Sequence, residues 1–319
     1  MAARPVPTKQ IRGMTKIRCI EELVQEFQEQ RPIRGGSLII TIFGDAIAAR
    51  GGTVWLGSLI NLLEPLGLNQ RLVRTSIFRL TKDGWLTSNQ IGRRSYYSLT
   101  DSGRRRFESA FRRIYAELYP EWDGKWDMVL ANQLDNELRK VLKKELEWQG
   151  FGNIAPSIMA HPMADAQELN NTLQELCVQN EVIHMRAEMV GTHTSEALKQ
   201  LVHECWNLQQ LAEDYQQFLD RFRPILRAVK SADELEPEQC FQLRTLLIHN
   251  YRRLLLRDPL LPEKLLPADW AGTSARVLCR NIYRLIYAQA DQWLSETQET
   301  ADGPLPEPAP RFYKRFGGL

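Results

Sequence analysis

The sequence predicts an α+β, multidomain chain, and three observations carry that prediction. Its 319 residues exceed one ordinary domain of about 100 to 200 residues. The hydrophobic period changes from mixed helix and strand, to strand and helix in alternation, to helix alone. Positive charge is segregated: the first 119 residues hold 19 Lys/Arg against 10 Asp/Glu, a net +9, whereas the other 200 hold 22 against 29, a net −7. A basic part beside an acidic one points to a polyanion partner for the first part alone.

The punctuation of the first stretch predicts its elements in order. Ser37 is placed to cap a helix over Leu38 to Ala49, which Gly51 and Gly52 end. A second helix over Leu56 to Glu64 stops at Pro65, and a third follows the turn Leu66-Gly67-Leu68 with Asn69 as its cap and Gly84 just beyond it. Two short runs, Trp85 to Gln90 and Ser95 to Leu99, flank Ile91-Gly92-Arg93-Arg94 and read as a hairpin, after which Thr100 caps a closing helix. Three helices followed by a two-stranded wing is the plan of a winged helix-turn-helix.

Farther along, WDMVLA, a helix over Leu134 to Gln149, FGNIAPSIMA, a helix over Ala164 to Cys177 and EVIHMRAEMV alternate as a ferredoxin-like middle domain would. From Ser195 to Phe222, Glu238 to Leu256 and Ser274 to Leu294 only helical spacing remains, so an all-α C-terminal domain is expected. The resulting division is an arm and helix at 1–35, a winged-helix domain at 36–119, a middle domain at 120–192, a helical dimerisation and effector domain at 193–300, and a proline- and glycine-rich disordered tail at 301–319.

The third helix can be sorted by face. Leu72, Val73, Ile77 and Leu80 belong inside, which leaves Gln70, Arg71, Arg74, Thr75 and Phe78 as a stripe suited to the major groove. Arg71 and Arg74 are the first choices for base contact, Arg79 and Lys82 for phosphate. On the wing, Arg93 and Arg94 follow a glycine that permits close backbone approach. Arg104, with Arg105 and Arg106, lies in the first turns of the closing helix, where cations oppose the helix dipole and so serve something other than helix stability. The alternative for the whole set is a solvated basic face. DNA-binding regulators of this size commonly pair two recognition helices, so a homodimer on an inverted-repeat operator is expected, with the stripe from Leu198 to Phe222 as its surface.

The run VWLGSLINLLEPLGLNQRLVRTSIFRLTKDGWLTSNQIGRRSYYSLTDSGRRRF closely resembles the N-terminal domain of the PaaX family of phenylacetic acid degradation repressors. WDGKWDMVL with GFGNIAPSIMAHP resembles that family's Cas2-like middle domain, and HNYRRLLLRDPLLPEKLLPADWAGTSAR its C-terminal signature, so the likeness spans nearly the whole chain. The resemblance implies a transcriptional repressor of phenylacetate catabolism, released from double-stranded operator DNA by phenylacetyl-coenzyme A. An acyl-CoA effector needs cations for phosphate and apolar walls for its acyl end. His249, Tyr251, Arg252, Arg253, Arg257 and Trp270 gather both kinds in the C-terminal part, although the two central arginines also have the acidic excess of this half to pair with.

The rival readings, a Cas2-like nucleic-acid-processing or RNA-binding protein and an acyl-CoA enzyme, fare poorly. Some Cas2-like proteins cut nucleic acid with an aspartate near the end of the first strand, whereas here Ala131-Asn132-Gln133 follows the strand, no carboxylate comes until Asp135, and Asp127 reads as a strand-edge or turn residue. The histidines, at 161, 184, 193, 203 and 249, form no HExxH, and no GxGxxG, P-loop or GxSxG is present, which leaves an acyl-CoA enzyme without a nucleophile motif. Neither a metal nor a cofactor is expected. Five cysteines without a CxxC, no apolar run near 20 residues and no secretory h-region point to the cytoplasm.

Overall fold

The computed structural model describes residues 16–115, 121–190, 196–300 and 303–319; the expected arm over 1–15, the joins at 119/120 and 192/193, and His193 lie outside them. The first helix, α1, is Arg18–Glu29, with Ile20, Leu23, Val24 and Phe27 on its buried face. Next come α2 (Gly35–Ile42), β1 (Thr53–Trp55), α3 (Leu56–Leu63), α4 (Gln70–Lys82), β2 (Leu86–Ile91) and β3 (Arg94–Leu99), with the strands in the order β1-β3-β2. The Asn69 side chain accepts from Leu72 N–H at 2.9 Å, the cap that its position predicts. Ser37 lies inside α2 and is not its N-cap: the helix begins two residues earlier, its N-cap position is Arg34, and its far end continues as a π-helical turn over Phe43–Ile47.

Closing the stretch is α5 (Asp101–Tyr115), whose first turn is capped by Thr100 through Gly103 N–H at 2.8 Å. The middle of the chain runs β4 (Lys125–Leu130), α6 (Asn136–Trp148), β5 (Gly152–Ala155), β6 (Ile158–His161), α7 (Ala166–Glu175) and β7 (Ile183–Glu188). Its antiparallel sheet has the order β5-β6-β4-β7, and Val129, Leu142, Leu146, Phe151 and Leu169 fill the core beneath it. Asp135, the first carboxylate after β4, caps α6 by accepting from Glu137 and Leu138 N–H.

The rest is chiefly helical: α8 (Glu196–Trp206), α9 (Leu208–Ser231), α10 (Pro237–Leu255) and α11 (Ala271–Thr297). One continuous helix is expected over the first two, but Asn207 takes a left-handed conformation (φ 44°) and parts them. The Trp206 indole then donates to Gly150 O at 2.7 Å, and its ring lies 2.4 Å from where a Cβ on Gly152 would stand, so only glycine fits there. Leu198, Val202, Leu211, Tyr215, Phe218 and Phe222 are all buried in their own chain, so the stripe expected to hold a second copy is consumed internally. No helix among the described residues is long and apolar enough to cross a membrane.

The tail corrects an expectation. Over 303–319 the chain is ordered despite its proline and glycine content, because side-chain packing decides where regular hydrogen bonding does not. Phe312, Arg315 and Phe316 are buried, and the Arg315 guanidinium lies 4.3 Å from the Tyr115 ring centroid and 4.4 Å from that of Phe312.

Two compact units result, and they do not follow chain order. One combines residues up to Ser98 with Pro224–Leu246 and Asn281–Glu307; the other combines Leu99–Arg223, Leu247–Arg280 and Pro308–Leu319. At the centre of the first, Arg244 is fully buried, its Nε 2.8 Å from Asp45 and its Nη1 2.7 Å from Asp291. Arg50, also buried, pairs with the other oxygen of Asp291 at 3.2 Å and donates to Pro306 O at 2.8 Å, while Tyr283 donates to Asp45 at 2.9 Å. Burial pulls the pKa of Arg244 down, but Asp45, Tyr283 and Asp291 together outweigh it and hold the guanidinium charged, with its pKa above the ordinary arginine value.

In the second unit, His161 is buried with Nδ1 accepting from Met163 N–H at 2.9 Å and Nε2 3.0 Å from Pro259 O. That pair of partners requires the neutral ring with its proton on Nε2. Burial pushes the pKa of His161 down to about 4; for His249, burial and then Arg252 and Arg253 push it down to about 3.

Two measurements follow from these interiors. Arg244→Ala or Asp45→Ala leaves a buried charge uncompensated and should cost about 3 to 5 kcal/mol in urea unfolding. Arg18→Ala, which loses only an exposed pair with Glu22, should stay within about 1 kcal/mol; equal losses in all three would deny the network its place. Both histidines are neutral when folded and protonate near pH 6.5 when unfolded, so stability is full above that pH. It should fall on acidification by about 1.4 kcal/mol per pH unit for each. Urea midpoints at pH 7 and pH 5 check this, and His161→Gln should flatten the slope.

Candidate nucleic-acid interface

Asn69 starts α4 and Val73, Ser76, Ile77 and Leu80 anchor it, which fixes the opposite face outward. Gln70, Arg71, Arg74, Thr75, Phe78, Arg79 and Lys82 are all exposed on it, Phe78 to 70%. With its amide oxygen turned to the guanidinium, Gln70 accepts from Arg74 through Nε at 3.2 Å and Nη2 at 3.0 Å. This aims Arg74 and leaves the Nη1 edge of its fork for another acceptor. Thr75 donates back to Arg71 O at 2.9 Å, which keeps its oxygen available as an acceptor. Arg79 and Lys82 sit in the last turn, where they also complement the helix dipole.

At the hairpin tip Gly92 adopts φ 60°, a turn geometry that favours glycine, and Arg93 projects from it fully solvated. Among the described residues no carboxylate ion-pairs with Arg71, Arg74, Arg79, Lys82 or Arg93. Arg94 is different. Its guanidinium lies 4.3 Å from the Trp55 ring centroid and 2.7 Å from Glu299, so it ties down the strand beside the hairpin tip instead of reaching outward. The partner, 205 residues away, could not be seen in the local pattern. Arg104 also departs from expectation: it belongs to the second unit, and its Nη2 donates to Leu99 O at 3.3 Å.

The six residues expected to hold an effector are not gathered into one pocket. His249 and Tyr251 are enclosed in the core, the latter against Phe218 with ring centroids 5.7 Å apart, so neither offers a surface to a ligand. Helical spacing places polar and aromatic residues on a face, but a helix packed on several sides hides even these. Arg252 is half-buried, and burial lowers its pKa; Arg253 is exposed; Arg257 pairs with Asp214 at 3.0 Å. Trp270 lines a cavity, where it meets Tyr215 edge to face.

Asp127 stands on β4, an interior strand and not an edge, and is buried. It receives His184 Nε2 at 3.0 Å and lies 3.7 Å from Arg186 Nε across the β4–β7 pairing. This is a charge matched inside a sheet. Among the described residues no three His, Cys, Asp or Glu side chains are grouped to hold a metal ion.

Comparison with known proteins places these features in a family. The profile described as PaaX-like protein matches residues 34–103, that of the PaaX protein central Cas2-like domain matches 119–199, and that of the PaaX-like protein C-terminal domain matches 206–296. A curated relative, the transcriptional repressor PaaX of Escherichia coli (strain K12), is 46% identical over 301 residues, covering 94% of this chain and 95% of that protein. Among solved structures, the uncharacterized protein Rv0674 from Mycobacterium tuberculosis aligns over 74% of this chain and 89% of its own, at 22% identity and a TM-score of 0.45. Three profiles in chain order and a relative matched almost end to end lead to one conclusion: the chain belongs to the PaaX family.

Proposed function

We propose that this chain is a DNA-binding transcriptional repressor of phenylacetate catabolic genes, acting in the cytoplasm as a homodimer and released from its operator by phenylacetyl-coenzyme A. The observation that carries the reading is the outer face of α4, where four cations, an amide, a hydroxyl and an exposed phenylalanine stand without an internal ion-pair partner. The E. coli relative is a transcriptional repressor, which supports the same reading. We read α2, α3, α4 and the β2–β3 hairpin as a winged helix-turn-helix with α4 in the major groove, and the C-terminal helices as an all-α domain.

On that reading Arg74 and Arg71 donate to guanine edges, Gln70 bonds adenine and Phe78 meets a thymine methyl group. Arg79, Lys82 and Arg93 neutralise phosphates and contribute the salt-dependent share of affinity. Arg94 positions the hairpin. The chemistry is recognition and release, with no bond made or broken.

Arg74→Ala should cost about 1 to 3 kcal/mol of operator affinity and relax base preference, whereas Arg93→Ala should weaken operator and scrambled duplex alike. Gel-shift titrations on both duplexes separate the two; an unchanged specificity ratio for Arg74→Ala removes it from base readout. A homodimer requires two half-sites about 34 Å apart, or a multiple, related by a twofold axis. Footprinting should therefore protect an imperfect inverted repeat, and analytical ultracentrifugation should find two chains per duplex; one chain on a single half-site at full affinity would overturn the dimer.

A further inference from the structure

The second unit contains a cavity of about 330 Å³, at the small end of the roughly 300 to 1,000 Å³ typical of ligand pockets. Buried Trp122, Tyr215, Leu261 and Trp270 form its inner walls. Tyr215 and Trp270 meet edge to face, ring centroids 5.9 Å apart and planes at 77°, an arrangement that presents both ring edges and ring faces to a third aromatic group. Its mouth differs in character: the exposed residues Glu121, Lys264 and Thr273 line it together with half-buried Arg276.

The wall is held in an unusual backbone state. Leu260, a cavity residue, has φ 56°, which costs a branched side chain free energy and persists only where neighbours enforce it. Asp258 enforces it. Its Oδ1 accepts from Leu260 N–H at 2.7 Å while Oδ2 accepts from the Tyr215 hydroxyl at 2.5 Å, so one buried carboxylate clamps the loop and the aromatic wall together. Strain of this kind is a recurring mark of ligand clamps.

We infer that this cavity is the acyl pocket of the effector, taking the aromatic acyl end of an aryl-acyl thioester of coenzyme A while its nucleotide end lies outside. The inference rests on the reading of the chain as a thioester-released repressor, and it assigns the ligand to other residues than those the sequence selects. Volume favours this division, since the cavity fits a phenyl ring with the first atoms of a flexible arm but not a whole nucleotide. Polarity agrees: walls of indole, phenol and leucine exclude phosphate, and apart from Asp258 the charged groups of the lining, Lys264 and Arg276 with Glu121 and Glu263, are exposed or half-buried.

The test uses the full chain, with phenylacetyl-coenzyme A and acetyl-coenzyme A as probes in calorimetry and in gel-shift release. Leu261→Trp fills the inner wall, and Thr273→Trp, at an exposed position, narrows the mouth without touching the core. Both variants should bind operator within about twofold of the parent and lose at least about tenfold in affinity for the phenylacetyl thioester. Acetyl-coenzyme A, which lacks the ring, should bind the parent more weakly and be indifferent to both substitutions. If Leu261→Trp fails to fold, Thr273→Trp carries the comparison alone. Parental affinity and release midpoint in the folded variants would overturn the pocket and leave the repressor reading standing. Operator binding by the parent that no concentration of the thioester releases would overturn that reading, and this inference with it.

Discussion

Alternating buried charges hold the first unit together. Asp45, Arg244, Asp291 and Arg50 form a chain in which each charge faces an opposite one, with Tyr283 donating to Asp45 and Arg50 to Pro306 O. The first charge sits in the π-helical turn that ends α2; the second lies on α10 and the third on α11. Ionic groups this deep add little net stability over an apolar core of the same shape, because desolvation absorbs most of the Coulomb gain. Their value is directional. A hydrophobic contact tolerates sliding, whereas this network is satisfied in one relative placement of the three helices.

The same unit uses arginine in two opposite ways. Inside, Arg50 and Arg244 are matched to carboxylates and lost to solvent. Outside, Arg71, Arg74 and Arg79 stand on α4 with no carboxylate partner among the described residues. Arg94 lies between these cases, solvent-exposed yet spent on Trp55 and Glu299. A protein that must bind a polyanion and let it go gains from this separation. The interior cations cannot be drawn off by phosphate, and those on the surface have no internal competitor to displace.

Local chemistry was legible wherever it was settled by near neighbours. Asn69 and Thr100 read as caps and cap their helices; the face of α4 divides as its apolar spacing requires; the strand and helix alternation after Lys125 is what the middle sheet contains. What escaped depends on partners far along the chain or on unmarked backbone. Three residues of β1 are too few to show a period of two, and Asn207 breaks a helix with neither glycine nor proline to announce it. Asp45 looks only like an interruption in an apolar run, because Arg244 is about two hundred residues away. Two members of the effector cluster show the converse: His249 and Tyr251 have suitable chemistry at a suitable spacing, and both are buried.

The interleaving of the two units bears on how the chain comes off the ribosome. Asp45 and Arg50 are synthesised early, but Arg244, Asp291 and Pro306 arrive only near the end of translation. At about 5 to 20 residues per second the nascent helices before Ser98 wait many seconds for their counter-charges. Until then a carboxylate and a guanidinium meant for the interior keep that unit from closing. A messenger cut short, or a chain clipped within its C-terminal third, therefore leaves Asp45 and Arg50 without the partners that complete the first unit.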